Sequence, residues 1–121
     1  MTKRILVVED TEDNRQIMRD LLTAAGFEMV EAEDGAAGVA AAEREKPDLI
    51  LMDIQLPVMD GYEATRRIKA NAALKHIPII AVTSYALSGD EEKARAAGCD
   101  GYVTKPFSPR QLLAKVREHL S

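Results

Sequence analysis

Three short, uninterrupted apolar runs constrain this chain more than any other feature. They are Ile5-Leu6-Val7-Val8, Leu49-Ile50-Leu51-Met52 and Ile79-Ile80-Ala81-Val82. Four residues are too few for a helix with a buried stripe. None of the runs shows the apolar–polar alternation of a sheet wetted on one face. Parallel strands covered on both faces satisfy such a pattern. Residues 29–32, interrupted by Glu31, and the brief, mixed stretch Gly101–Thr104 read as edge strands.

Helical patterns fill the intervals. Ile17, Met18, Leu21, Leu22 and Ala25 form one apolar stripe, and Leu112, Leu113, Val116 and Leu120 another. Ser88 with Glu91, and Ser108 with Gln111, have capping-box spacing, and Pro109 suits a first helical position. Gly26 and Gly98 follow Ala-Ala pairs, as C-terminal stops do. The fourth helix is expected over residues 88–97, anchored by Leu87, Ala94 and Ala97. Five βα units imply a parallel sheet with right-handed crossovers. With the mixed second and fifth strands at the edges, the order is 2-1-3-4-5, a doubly wound, flavodoxin-like α/β fold. The length, 121 residues, suits one domain over residues 1–121, and no output domain is expected.

Composition narrows the function. Sixteen Lys+Arg against twenty Asp+Glu give a net charge of -4, which argues against nucleic acid or an anionic membrane as partner. Cys99 is the single cysteine, so no internal disulfide forms. The run at residues 5–8 stops at Glu9-Asp10, too short for a signal-peptide core or a bilayer span. A cytoplasmic protein is expected.

In open parallel sheets, ligands bind beyond the carboxyl ends of the strands. The first strand ends in Glu9-Asp10, the third in Asp53, the fourth in Thr83-Ser84 and the fifth in Thr104-Lys105-Pro106. Adjacent first and third strands would bring three carboxylates together. Such a cluster needs a proton or a cation. Oxygen donors without histidine or thiolate favour Mg²⁺, or Mn²⁺, over zinc. Adding Thr83 and Lys105 gives the parts for phosphoryl transfer: cations to offset phosphoryl charge and a carboxylate to attack. Asp60, followed by Gly61 and with Glu63 three residues on, reads instead as a helix N-cap.

Glu9-Asp10, the stretch Asp53-Ile54-Gln55-Leu56-Pro57-Val58-Met59-Asp60-Gly61, Thr83-Ser84 and Lys105-Pro106-Phe107 together resemble the receiver domain of two-component response regulators. The likeness covers essentially the whole chain. Within that family the chain is similar to stand-alone, single-domain receivers of the DivK kind, through residues 47–57, Gly89-Asp90-Glu91-Glu92 and Gly98-Cys99. The resemblance implies a bacterial signalling switch rather than an enzyme with a free substrate. Asp53 would accept a phosphoryl group from a sensor histidine kinase or a histidine phosphotransfer protein. Asp10, Asp53 and the Gln55 backbone carbonyl would bind Mg²⁺, with Glu9 acting through water. Thr83 and Lys105 would meet the phosphoryl oxygens, Lys105-Pro106 would be cis, Tyr102 would be the switch aromatic, and Ser84 the small residue after the threonine. Phosphorylation would draw Thr83 inward, let Tyr102 turn and reset the face of the fourth helix, fifth strand and fifth helix toward an unidentified target protein. Slow self-dephosphorylation would follow, tuned by Gln55 and Tyr85.

His76 precedes the fourth strand and His119 lies in the last helical turn, so neither can be the phosphodonor in cis. Donor docking would use Thr11, Glu12, Asn14, Arg15, Met18 and Pro106-Phe107. Phe107 equally suits a staple for the last helix, Tyr102 a half-buried edge aromatic, and Cys99 a small packed residue. A monomer or a phosphorylation-dependent homodimer is expected. Gly101, Gln111 and Lys115 stand where winged-helix regulators carry their pairing charges, which disfavours that dimer mode. Three alternatives remain. One is a receiver excised from a hybrid kinase. Another is a Mg²⁺-dependent aspartyl phosphohydrolase, although Gln55 stands where its second aspartate belongs. The third is a flavodoxin-like carrier, although Glu9-Asp10-Thr11-Glu12-Asp13 would repel a bound phosphate.

Overall fold

The structure, a computed structural model, describes residues 2–84 and 90–120. The expectations for Tyr85, Leu87 and the Ser88 cap lie outside the described residues. Ten elements alternate: β1 (Arg4–Val8), α1 (Glu12–Ala24), β2 (Glu28–Ala32), α2 (Gly35–Glu45), β3 (Leu49–Asp53), α3 (Gly61–Ala70), β4 (Ile79–Thr83), α4 (Asp90–Ala97), β5 (Gly101–Thr104) and α5 (Pro109–Leu120). The strands form one sheet in the order β2-β1-β3-β4-β5, and every pair is parallel. This is the doubly wound α/β architecture that the apolar runs imply. β3 and β4 are buried at every position, whereas edge strand β2 is buried only at Ala32.

Alternate residues of each strand feed two cores. Leu6, Val8, Ile50, Met52, Ile79 and Ala81 pack with Ala41, Ala42, Ala64, Ile68 and Ala94, so α2, α3 and α4 cover that face. Ile5, Val7, Leu49, Leu51, Ile80 and Val82 pack with Met18, Leu22, Leu112 and Val116, so α1 and α5 cover the other. One expected core residue is misplaced. Ile17 is 57% exposed, while the next residue, Met18, takes the core position at 2%. Arg15 takes a buried position in the same helix instead.

The punctuation holds where it is described. Ser108 N donates to Gln111 Oε1 (2.9 Å) and Gln111 N donates to Ser108 Oγ (3.1 Å), a reciprocal cap on α5. Glu63 N donates to Asp60 Oδ1 at 2.9 Å, so Asp60 caps α3. Gly26 and Gly98 adopt φ of 93° and 111°, the left-handed stops expected of them. Ala94 and Ala97 are the buried residues of α4, as expected of a lightly anchored helix. Among the described residues no helix is long and apolar enough to cross a membrane.

One close approach fixes the loop that carries the site. At Gly61 a β-carbon would stand 2.2 Å from the Asp53 carbonyl oxygen and 2.8 Å from Ile54 Cα. Only a residue without a side chain lets α3 start this close to the end of β3. Gly61→Ala should therefore destabilise the protein by about 1–3 kcal/mol, as overpacking does, seen as a lower denaturation midpoint at unchanged slope.

Candidate functional site

The site forms where the strand alternation runs on past the last paired residues. On β1, Ile5 and Val7 face α1 and α5, so Glu9 does too. On β3, Leu49 and Leu51 face the same way, so Asp53 follows. On β5, Val103 does so, and Lys105 follows. Neighbouring strands β1 and β3 thus deliver two acids to one place, and β5 delivers an ammonium to them from beyond β4. Glu9 and Asp53 are buried at 1% and 5% exposure, and Asp10 is exposed. Oxygen atoms of all three carboxylates lie within 4.8 Å of one another.

The chain supplies one counter-charge itself. Lys105 Nζ donates to Glu9 Oε1 at 2.6 Å and to Asp53 Oδ2 at 3.2 Å. Burial works against the Lys105 ammonium, but the hydrogen bond to Glu9 and the charges of Asp53 and Glu9 outweigh it. The group is held above the ordinary lysine range. Backbone amides complete the acceptors. Gln55 N donates to Asp53 Oδ1 at 3.0 Å, and Thr11 N donates to Glu9 Oε2 at 3.3 Å. Asn14 Nδ2 reaches Glu9 Oε1 at 3.4 Å. The three carboxylates still outnumber the single ammonium. A hard cation that takes oxygen ligands at about 2.0–2.1 Å fits such a donor set.

Thr83 ends β4 and is 2% exposed, and its carbonyl accepts from Lys105 N at 2.7 Å. Its place in the alternation, after Ile79 and Ala81, is on the α2–α4 face. Tyr102 packs half-buried against that same core. The two residues expected to couple therefore share a side of the sheet. The Lys105-Pro106 bond is cis, as the resemblance implies.

Beside the acids lies a recess of about 470 Å³ lined by Asn14, Ile17, Met18, Ser84, Lys105, Pro106 and Phe107. Phe107 packs against the α1–α5 core, as a staple for the last helix would, and its edge lines the recess. Exposed Ile17 finds its surroundings here. Arg15, expected on the docking rim, is only 7% exposed and turns inward to the Glu9 carbonyl. Glu12, Glu31 and Glu33 surround it. His76 is exposed in the loop before β4, and His119 lies in the last turn of α5, both at the opposite end of the sheet. Cys99 is buried, with Sγ 3.7 Å from Thr65 Oγ1, and burial raises its thiol above the usual range, as befits a packed residue rather than a nucleophile.

The chain is similar to known proteins along its length. A family model described as the response regulator receiver domain matches residues 5–117. The polar-differentiation response regulator DivK of Brucella ovis is 43% identical over 120 residues, covering 99% of this chain and 98% of that protein. The receiver domain of the sensor histidine kinase PA1611 from Pseudomonas aeruginosa, solved with a magnesium ion coordinated in its active site cleft, is 39% identical. It superposes with a TM-score of 0.92 over 99% of this chain and 98% of that one. The chemotaxis protein CheY4 of Vibrio cholerae is 30% identical with a TM-score of 0.94, over 99% and 100% of the two chains.

Crowding of like charge makes a direct prediction. Asp10→Asn removes one of three neighbouring carboxylates and should stabilise the metal-free protein by about 1 kcal/mol. Urea unfolding in chelator checks it.

Proposed function

The chain belongs to the response regulator receiver domain family, and we propose that it is a phosphorylation switch whose phosphoacceptor is Asp53. One observation carries the reading: Asp53 stands buried beside Glu9 and Asp10, gripped at Oδ2 by Lys105 and at Oδ1 by Gln55 N. An Asp53 carboxylate oxygen attacks the phosphorus of a phosphohistidine on a sensor histidine kinase or histidine phosphotransfer protein. A P–O bond forms, the P–N bond breaks with its electron pair going to nitrogen, and the histidine, protonated beforehand on its other ring nitrogen, leaves as neutral imidazole. Lys105 holds charge beside the incoming oxygens, and Thr83, one strand away, offers its hydroxyl to them.

Asp10, Asp53 and the Gln55 carbonyl would hold Mg²⁺, or Mn²⁺, with Glu9 acting through water. The oxygen-only donor set and the magnesium named for the Pseudomonas receiver support this. When bound, the ion offsets charge on the phosphoryl group. The acyl phosphate then hydrolyses slowly, so the protein has no free substrate and is a signalling module rather than an enzyme.

Readout uses the other face. Drawing Thr83 toward the phosphoryl group opens space for Tyr102, and α4, β5 and α5 reset. A recess of about 350 Å³ lined by Tyr102, Val103, Thr104, Gln111, Ala114, Lys115 and Glu118 gives a downstream protein a place to bind. Residues 1–121 act as a single receiver domain, monomeric or pairing on phosphorylation, in the cytoplasm.

Two experiments test the reading. Incubation with a small acyl-phosphate donor and Mg²⁺ should add one phosphoryl group by intact mass. Chelator or Asp53→Asn should abolish the adduct, and failure with several donors overturns the assignment. Ile17→Asp, in the recess beside the site, should slow transfer from a histidine phosphotransfer domain about tenfold, the effect of losing roughly 1.4 kcal/mol of docking. It should leave the small-donor reaction unchanged, so equal loss with both donors overturns the docking role.

A further inference from the structure

Arg15 is the least exposed charged residue of α1, at 7%. Its Nη1 donates to the Glu9 carbonyl oxygen at 2.8 Å. Nη2 pairs with Glu12 Oε2 at 2.6 Å and stands 3.7 Å from Glu33 Oε1, and Nε stands 3.4 Å from Glu31 Oε1. A planar, forked cation can serve a carbonyl on one edge and carboxylates on the others, which a lysine cannot do at once.

The carbonyl it holds is a particular one. Glu9 N still extends the sheet by donating to Ala32 O at 3.0 Å. In an extended strand the N–H and C=O of one residue point to the same side, so the Glu9 carbonyl also faces β2. But β2 ends at Ala32 and the chain turns away into α2. The guanidinium takes the place of the next strand amide. The peptide plane so fixed joins Glu9 to Asp10. Its rotation sets how the Asp10 carboxylate stands relative to those of Glu9 and Asp53.

We infer that Arg15 is a positioning residue for the acidic site. By anchoring the Glu9 carbonyl it holds the Glu9-Asp10 turn in the geometry that gathers three carboxylates around one cation. The inference rests on the magnesium reading above. Arg15 touches no reacting atom and acts only through the backbone of two carboxylate residues, as outer-sphere partners of metal ligands do.

The test is Mg²⁺ binding to folded protein by calorimetry, for the wild type, Arg15→Gln, Arg15→Lys and Glu31→Gln. Arg15→Gln should raise the Mg²⁺ dissociation constant about tenfold or more, and Arg15→Lys, which still reaches the carbonyl, should recover part of the loss. Glu31→Gln removes an ion pair but leaves the carbonyl held, so it should lower the denaturation midpoint without moving Mg²⁺ affinity. At saturating Mg²⁺, phosphorylation of Arg15→Gln by a small acyl phosphate should return to the wild-type rate. Folded Arg15→Gln with wild-type Mg²⁺ affinity, or a deficit that saturating Mg²⁺ leaves in place, overturns the inference alone. A wild type that binds no Mg²⁺ overturns it together with the functional reading. Should Arg15→Gln not fold, the wild type still decides. Its Arg15 side-chain nitrogen resonances should shift during a Mg²⁺ titration with the midpoint of binding, and unmoved resonances overturn the inference.

Discussion

The structure is organised around an electrostatic conflict at one end of its sheet. Oxygens of Glu9, Asp10 and Asp53 lie within 4.8 Å of one another, and two of those residues are almost fully buried. At an effective dielectric near 20, a pair of like charges at that separation repels by roughly 3 kcal/mol. That is a sizeable fraction of a domain's net stability, which is about 5–15 kcal/mol. Left to itself the sheet end would splay. Lys105, reaching Glu9 and Asp53 from the far side of β4, is what keeps the acids gathered. One ammonium does not balance three carboxylates, so the protein stays poised for a further cation. The conflict is tolerated because the strands below it are held by two apolar cores rather than by the site.

The same conflict explains why the loops around the acids are so tightly specified. Gly61 lets α3 begin against the Asp53 backbone, Gln55 N takes one Asp53 oxygen, and Thr11 N and Asn14 take Glu9. Each of these fixes an acidic group that would otherwise swing away into water. Rigid presentation of repelling charges differs from a loose cluster of surface acids, which needs no ion and selects none.

Much of this was legible in the sequence. Four-residue apolar runs specify strands buried on both faces, and the mixed runs specify the edges. Together they yield the observed order and bring the acids of β1 and β3 side by side. Alternation along the strands then places Glu9, Asp53 and Lys105 on one face and Thr83 with Tyr102 on the other. Two placements in α1 were not legible. The helical period puts Ile17 on an apolar stripe beside Met18, yet only Met18 reaches the core. Arg15 reads as a surface charge because its partner is a backbone carbonyl, which no side-chain pattern can announce. The role of Lys105 as a direct partner of two acids was also hidden, since strand-end position gives proximity and not the choice of contact.

The division of the site between two faces has a mechanical consequence. Glu9, Asp53 and Lys105 lie on the side of α1 and α5, where Met18, Leu22, Leu112 and Val116 make a core of large side chains. Thr83 lies on the other side, the side of α4, whose buried residues are Ala94 and Ala97. Apolar burial stabilises in proportion to area, so a helix seated on alanines is displaced at much lower cost than one seated on leucines and valines. A change of charge at Asp53 would meet stiff packing on the acidic side and yielding packing on the Thr83 side. Motion would therefore pass toward α4 and Tyr102 while Glu9 and Asp53, seated on the stiffer side, stay in place.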